Sequence, residues 1–322
     1  MSLAALFFAV FGLPPMVVVC YFLGITILLI GLVVAFRRDM PRARGLDKWI
    51  CLGPVLYAAP LAVFAGEHFT ATRAMSGMVP HWIPWHFFWV LFVGVSLVAA
   101  ALALATGRVA ALAAAMLGVM FLLFVALMDV PFGVVAEPRS RFTWALMLRE
   151  LSFSLCSFAL AAAMARTSPG GARWRPAGEL VAAIARVVVG ATLVFYGVEH
   201  FLHPQHVPVI PLELLLPAWM PLHLLIGCGT GAALIVTGAA MVVNRYARTA
   251  LTLFGVVAIG LVLVVYGPIL ATKFSDVGTN LNYFADTLCY AGALLMLAGS
   301  IAPEQRARAA APAPVIAGER VA

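Results

Sequence analysis

The sequence predicts an all-α polytopic membrane protein with about nine transmembrane helices, eight of which form two parallel-oriented repeats of a four-helix bundle. Of its 322 residues, 64% are hydrophobic and only 10% are charged, whereas soluble domains average roughly 45–50% and 25%. The second observation is a polar phrase, Glu-His-Phe followed by Pro-x-Trp-x-Pro, which occurs twice, each time after a long apolar run.

Nine apolar stretches are long enough to cross a bilayer, which takes about 20 residues of helix. Pro14 and Pro15 separate a short apolar N-terminal segment from the first stretch, and this segment lacks the basic start of a cleavable signal peptide. The predicted spans are 16–36, 49–68, 86–106, 109–129, 143–165, 179–201, 222–243, 247–269 and 281–301.

The basic residues predict the orientation. Of the 20 Lys and Arg residues, fourteen lie in the loops of one side or in the tail, and four lie in the opposite loops. Because Lys and Arg concentrate in cytoplasmic loops, we expect a bacterial inner (plasma) membrane protein with its N-terminus outside and its C-terminus in the cytoplasm. The net charge of +7 therefore reflects topology, and no nucleic acid partner is expected. The tail, 302–322, is expected to be disordered.

An internal repeat organises the chain. Residues 79–131 align with 216–268 without a gap, at a constant offset of 137. The matched pairs include Pro80/Pro217, Trp82/Trp219, Pro84/Pro221, His86/His223, Gly94/Gly231, Arg108/Arg245, Gly118/Gly255 and Pro131/Pro268. We therefore predict a first unit over 49–167 and a second over 168–301, behind an N-terminal helix and basic loop over 1–48. An even number of spans gives the units the same orientation, related by an axis along the membrane normal.

The histidines and most carboxylates gather toward the predicted outer face. Glu150 and Asp286, which align after one residue of slippage, lie inside spans and need partners. For Glu150 the candidates are His68, His86 and Arg149, although adjacent helical residues do not face each other. For Asp286 the candidates are His200, His223, Lys273 and Tyr266. We expect two outer-leaflet ligand pockets, one formed by Glu67, His68, Trp82, His86 and Glu150 and the other by Glu199, His200, Trp219, His223 and Asp286.

One other interpretation of these residues stays open. Tryptophans and histidines beside a membrane also form interfacial aromatic belts with no ligand. A metal site is not expected, because His203-x-x-His206 has no counterpart in the first unit and no His-Glu-x-x-His motif occurs. The five cysteines form no Cys-x-x-Cys pair, which argues against thiol–disulfide chemistry.

The repeated phrase resembles that of the DoxX-like family of small membrane proteins, which are four-helix units. The resemblance covers about 55–301 and rests on Gly66-Glu67-His68-Phe69 with Pro80-x-Trp82-x-Pro84, and on Glu199-His200-Phe201 with Pro217-x-Trp219-x-Pro221. It implies a subunit of a quinone-linked oxidoreductase or of a redox-stress complex, with quinone as the cofactor or ligand and a redox partner subunit. The duplication departs from the one-unit pattern, so one unit can differ from the other.

Three functions follow from these patterns. A quinone-interacting subunit needs hydrogen-bond donors and a proton acceptor near an aromatic-lined pocket, which Glu67, His68, His86 and Trp82 offer. A structural or assembly factor of another membrane complex is the first alternative, since runs of small residues let helices pack closely. A small-solute or proton transporter is the second. Whether the chain is an enzyme stays open; any activity is expected to be that of a quinone-linked oxidoreductase subunit.

Overall fold

The computed structural model describes residues 12–167 and 171–302, and these residues form helices and connecting loops without any strand. A single isolated bridge pairs His206 with Leu215. Except for residue 302, the tail predicted to be disordered lies outside the described residues, as does nearly all of the apolar N-terminal segment.

Within the described residues, nine helices are long and apolar enough to cross a membrane. They are α1 (Pro15–Asp39), α2 (Asp47–Thr70), α3 (His86–Thr106), α4 (Ala110–Val134), α5 (Arg141–Thr167), α6 (Arg175–Leu202), α7 (His223–Val242), α8 (Ala247–Thr272) and α9 (Val277–Ser300). The predicted all-α membrane fold and its nine spans are confirmed. The largest shift is at the end of α4, which ends at Val134 and not at 129.

Four helices begin after a residue with left-handed backbone. Trp85 and Val109 precede α3 and α4 with φ of 59° and 47°, and Leu222 and Tyr246 precede α7 and α8 with φ of 62° and 54°. This conformation is costly for residues other than glycine. The two members of each pair, Trp85 with Leu222 and Val109 with Tyr246, are 137 positions apart.

Three helices contain π-helical segments toward the end of the bundle that carries the seven histidines, which we call the histidine end; the segment of α9 is Val277–Leu281. In α4 this segment is Val125–Val134, with Pro131 inside it, and in α8 it is Val262–Tyr266, two residues before Pro268. Proline has no N–H and clashes with the carbonyl four residues earlier, which disrupts regular α-helical hydrogen bonding. Such segments frequently occur at functional sites.

Helix α9 lies at the centre of the bundle, where it packs against α2, α5 and α8. In their apolar stretches, 78% of the residues of α9 and 67% of those of α2 are buried, whereas only 28% of those of α1 are. Helix α5 packs in turn against α4, α6 and α9. Polar groups on α5 and α9 therefore lie inside the protein and away from lipid.

Glycines set the close approach of α2 and α9. A Cβ atom added at Gly292 would lie 2.4 Å from the backbone nitrogen of Tyr57 and 2.9 Å from the carbonyl oxygen of Gly53. Neither neighbour is a flexible side chain that can move aside. The two backbones are thus in contact at a place where only glycine fits.

We predict that Gly292→Ala lowers the free energy of unfolding by about 1–3 kcal/mol, because the helices must separate to admit a methyl group. Reversible unfolding of the detergent-purified protein measures this change. Gly229→Ala is the matched control, since nothing lies within 4 Å of a Cβ atom built there. Equal stability of the two variants would contradict this account of the α2–α9 contact.

Candidate functional site

An ionic cluster lies buried between α4, α5 and α9. The Arg149 guanidinium donates from Nη1 to Oδ2 of Asp286 at 2.5 Å and from Nη2 to Oε1 of Glu150 at 3.1 Å. The side chains of Asp286 and Arg149 are 3% and 14% exposed. Asp129, on the π-helical segment of α4, lies within hydrogen-bonding reach of Glu150. We call these four residues the ionic cluster.

Glu150 has one of its three candidate partners, Arg149, whereas the partner of Asp286 differs from those expected. Arg149 does reach the neighbouring Glu150, so the expectation that adjacent helical residues stay apart was wrong here. Backbone directions separate neighbouring side chains at Cβ, but the long guanidinium arm bends back to the carboxylate. Asp286 is bound by Arg149 of α5, and not by His200, His223 or Lys273 of its own predicted unit.

The cluster contains more carboxyl groups than cations. Asp129, Glu150 and Asp286 surround one guanidinium, and Oδ2 of Asp129 is buried without a hydrogen-bond partner in the described chain. A carboxylate oxygen needs a donor when it is removed from water. Its neighbour Glu150 is also a carboxyl group. A hydrogen bond between Asp129 and Glu150 therefore requires that one of the two carboxyl groups carries a proton.

Aromatic residues enclose the cluster on its inner side. The guanidinium of Arg149 lies 5.9 Å from the ring centroid of Phe153, and Phe153 contacts the rings of Tyr57 and Tyr290 at 5.8 and 6.0 Å. Tyr196 is 5.8 Å from Tyr290, and its hydroxyl donates to the carbonyl of Ala145. These rings keep water away from one side of the charges and so strengthen the electrostatic interactions within the cluster.

Glu67 is connected to the cluster through α9. Both carboxylate oxygens of Glu67 accept from Nδ2 of Asn282 at 3.2 Å. Asn282 lies one helical turn before Asp286, so its side chain stands on the same face of α9. Glu67 is only 6% exposed and lies one turn from the end of α2. The sequence does not reveal this partner, since an asparagine on an unrelated span gives no signal by itself.

The repeated Glu-His-Phe phrase takes part in helix packing. A Cβ atom added at Gly94 would lie 3.0 Å from Cβ of His68 and 2.7 Å from the ring of Phe69. In the same way, a Cβ atom at Gly231 would lie 3.2 Å from Cβ of His200 and 3.2 Å from the ring of Phe201. In both copies of the phrase, the histidine and the phenylalanine thus pack against a glycine of the following helix.

The other predicted site residues lie at the rim of the histidine end. Trp82 and Trp219 are 59% and 55% exposed, and Nε2 of His223 is 2.9 Å from the carbonyl oxygen of Pro217. His86 is half-buried at the start of α3. In the described chain, no hydrogen bond or ion pair joins these four side chains to the ionic cluster.

A loop of the predicted second unit fills the histidine end of the bundle and carries His203 and His206. We call residues 203–222 the plug. Val207, Val209, Ile210 and Leu212 on the plug are at most 5% exposed, and Ile210 packs into the main apolar core.

His200, below the plug, is fully buried, and neither of its ring nitrogens has a hydrogen-bond partner in the described chain. Glu199 lies 3.9 Å from His203. Within the described residues, no three side chains of the histidine, cysteine or carboxylate type are arranged to bind a metal. The structure thus brings Glu199 and His200 beside the plug, and no hydrogen bond or ion pair among the described residues joins them to Asp286, with which the sequence had grouped them.

Comparison of the chain with models of protein families, with curated proteins and with solved structures found no match.

We predict that Arg149→Met lowers the free energy of unfolding by about 3–5 kcal/mol, because it leaves three buried carboxyl groups without their cation. The double variant Arg149→Met with Asp286→Leu recovers part of this loss, since the ion pair is then removed as a whole. Arg73→Met, at an exposed position of the same end, controls for loss of an arginine. Unfolding of Arg149→Met at the same denaturant concentration as Arg73→Met would contradict a stabilising role of the buried guanidinium.

Proposed function

We propose that this chain is a membrane subunit that binds and passes protons at the outer leaflet on behalf of a quinone-linked oxidoreductase. The observation that carries this proposal is the buried ionic cluster, with three carboxyl groups around one guanidinium. The DoxX-like resemblance supports the redox assignment, and the geometry supports the part played by protons.

The charge count indicates that the cluster holds protons. With every carboxyl ionised, three negative charges would face one positive charge inside the bundle. An uncompensated charge at membrane depth costs several kcal/mol, and two carboxylates that share a site do not both ionise readily. Asp129 and Glu150 are such a pair, so at least one proton resides between them.

A line of polar groups runs from the cluster to the histidine end. Asp286, Asn282 and Glu67 follow one another along the contact between α9 and α2. Glu67 lies near the end of its helix, where a proton released from a ligand at the surface can be accepted. The line thus links the membrane surface with a proton-holding centre inside the protein.

An open apolar groove of about 320 Å³ lies at the same end, next to this line. It is lined by Leu13, Val17, Val18, Tyr21 and Phe274. Its volume is at the lower limit for small-molecule sites. Cys20 lies between the groove and α2 and packs against Gly66. Glu67, the next residue of α2, is therefore a carboxyl group close to the groove, on the far side of Cys20.

We propose a quinol as the lipophilic substrate, which leaves the groove as the quinone after its oxidation. Oxidation of a quinol releases two protons and two electrons. Glu67 and the cluster are proposed to take up protons, and a redox centre in a partner subunit is proposed to take up the electrons. The groove residues would hold the ring. Binding of the ring and uptake of protons are the only steps assigned to the described part of the chain.

Two related four-helix units are part of the proposal. The matched left-handed residues before α3 and α7 and before α4 and α8 support it, as do the π-helical segments that begin at Val125 and Val262, 137 positions apart. The packing is also similar in the two units, because the first helix of each contacts the last helix of the other: α2 contacts α9, and α6 contacts α5. We propose that both units have their histidine end outside, in a bacterial plasma membrane.

A proton transporter is the second candidate, and one observation favours it. Below the cluster the hydroxyls of Tyr57 and Ser157 lie 3.1 Å apart, which extends polar groups toward the opposite face. A transporter would carry protons across the bilayer without any quinone, and that difference separates the two candidates. An assembly role would need neither protons nor quinone.

We predict that quinone co-purifies with the chain in native-lipid nanodiscs and that Val18→Trp reduces the amount by about tenfold, equivalent to 1.4 kcal/mol of lost binding. The larger side chain fills the groove. Mass spectrometry of the extracted lipids measures the quinone bound per chain.

Val33→Trp is the matched control, on the same helix at a position that is 51% exposed, and it should keep the wild-type quinone content. Glu67→Gln should keep the quinone as well, since the carboxyl lies outside the groove. Equal quinone content in Val18→Trp and Val33→Trp, or none in the wild type, would refute the quinone assignment. Proton flux into proteoliposomes without quinone would support the transporter instead.

A further inference from the structure

Three polar contacts hold the plug in the bundle. The Arg141 guanidinium at the start of α5 donates from Nη1 to the carbonyl of Pro211 and lies, through Nη2, 2.9 Å from Nε2 of His206. The Tyr266 hydroxyl on α8 donates to the carbonyl of Pro208 at 2.5 Å. Between these anchors the apolar plug residues fill the core, so the polar contacts fix the loop over the bundle.

The contact between Arg141 and His206 works with only one charge state of the imidazole. A guanidinium has donors and no acceptor, so Nε2 of His206 has to accept and must carry no proton. A protonated imidazole would donate from both nitrogens. It would then lose this hydrogen bond and place a second positive charge 2.9 Å from the guanidinium.

Burial and the neighbouring cationic and imidazole groups oppose protonation of His206, whereas the backbone of Leu214 and Glu213 favours it more weakly. The neighbouring groups are Arg141 on α5, His200 on α6, and His203 on the plug itself, whose ring centroid is 5.8 Å away. The carboxylate of Glu199 lies beside His203, and Glu213 approaches His206 only through its backbone. Burial, followed by Arg141 and His203, holds the pKa of His206 below its ordinary value.

We propose that the plug is a pH-operated lid, held closed by neutral His206 through Arg141 and released when acid on the histidine side protonates this imidazole. The lid covers the part of the bundle where Tyr266 and Asp286 lie, since Tyr266 donates to the plug and lies near Asp286. This proposal rests on the proposed proton-handling function. It means that the plug regulates access to the ionic cluster.

The sign of the pH dependence follows from linkage. The open loop exposes an imidazole with the ordinary pKa of about 6.5, and the closed loop holds it at a lower pKa. The closed loop is therefore fully stabilised when the pH is above the ordinary imidazole pKa. This stabilisation weakens as the pH falls from there toward the lower, closed-state pKa. The lid is closed at neutral pH and opens in acid.

Thiol labelling of Ile210→Cys reports opening directly, because residue 210 is only 2% exposed. A water-soluble maleimide and peptide-level mass spectrometry give its labelling rate in the full-length protein in nanodiscs. Val135→Cys, 68% exposed at the same end, corrects for the pH dependence of the thiol. We expect the ratio of the two rates to rise between about pH 8 and about pH 5, tenfold for each unit by which closure lowers the pKa of His206.

Substitutions at residue 206 test the proposed cause. His206→Gln keeps an acceptor for Arg141 and cannot titrate, so the ratio should stay low at every pH. His206→Lys carries a permanent charge and should label readily even at about pH 8. His203→Gln is the control on the same loop and should retain the acid-induced rise.

Either of two results would overturn the lid: a wild-type ratio that does not change with pH, or an acid-induced rise that persists in His206→Gln. The labelling requires no quinone and no partner. Failure of the lid is therefore distinguishable from failure of the proposed function, which would appear as absent quinone with intact labelling behaviour.

Discussion

The placement of charge in an apolar interior is the constraint on which this structure depends. Arg149 joins α5 to α9 through Asp286 and turns back to Glu150, which lies against Asp129 on α4. Because an unpaired charge at this depth is expensive, the three helices have to keep their mutual positions. The buried centre of the bundle, around α9, is built on this contact and on the glycine seam with α2.

The two halves of the histidine end differ for a local reason. Pro80 follows Glu67 by 13 positions, whereas Pro217 follows Glu199 by 18. The additional five residues of the second connection let Ile210 and Leu212 reach the core, and the connection becomes the plug. Around both connections the Glu-His-Phe phrase keeps the same packing against a glycine, so the repeated motif is partly explained by helix contact.

The nine spans were predictable because the length and hydropathy of a segment are local properties of the sequence. Side-chain partners across helices are not, and neither Asn282 as the partner of Glu67 nor the role of Arg141 could be inferred from any motif. One signal was present but missed. The gap-free offset of 137 pairs Asp286 with Arg149, and these two residues are in contact; allowing one residue of slippage concealed the pair.

The most direct test of the account is the infrared spectrum of the detergent-purified protein at neutral pH, in the region of the protonated carboxyl C=O stretch. The wild type and Glu137→Gln, altered at an exposed loop carboxylate, are expected to show the same band. Asp129→Asn combined with Glu150→Gln is expected to lose intensity from it, since these side chains hold the shared proton. An equal band in all three proteins, or none in the wild type, would contradict a proton-holding cluster.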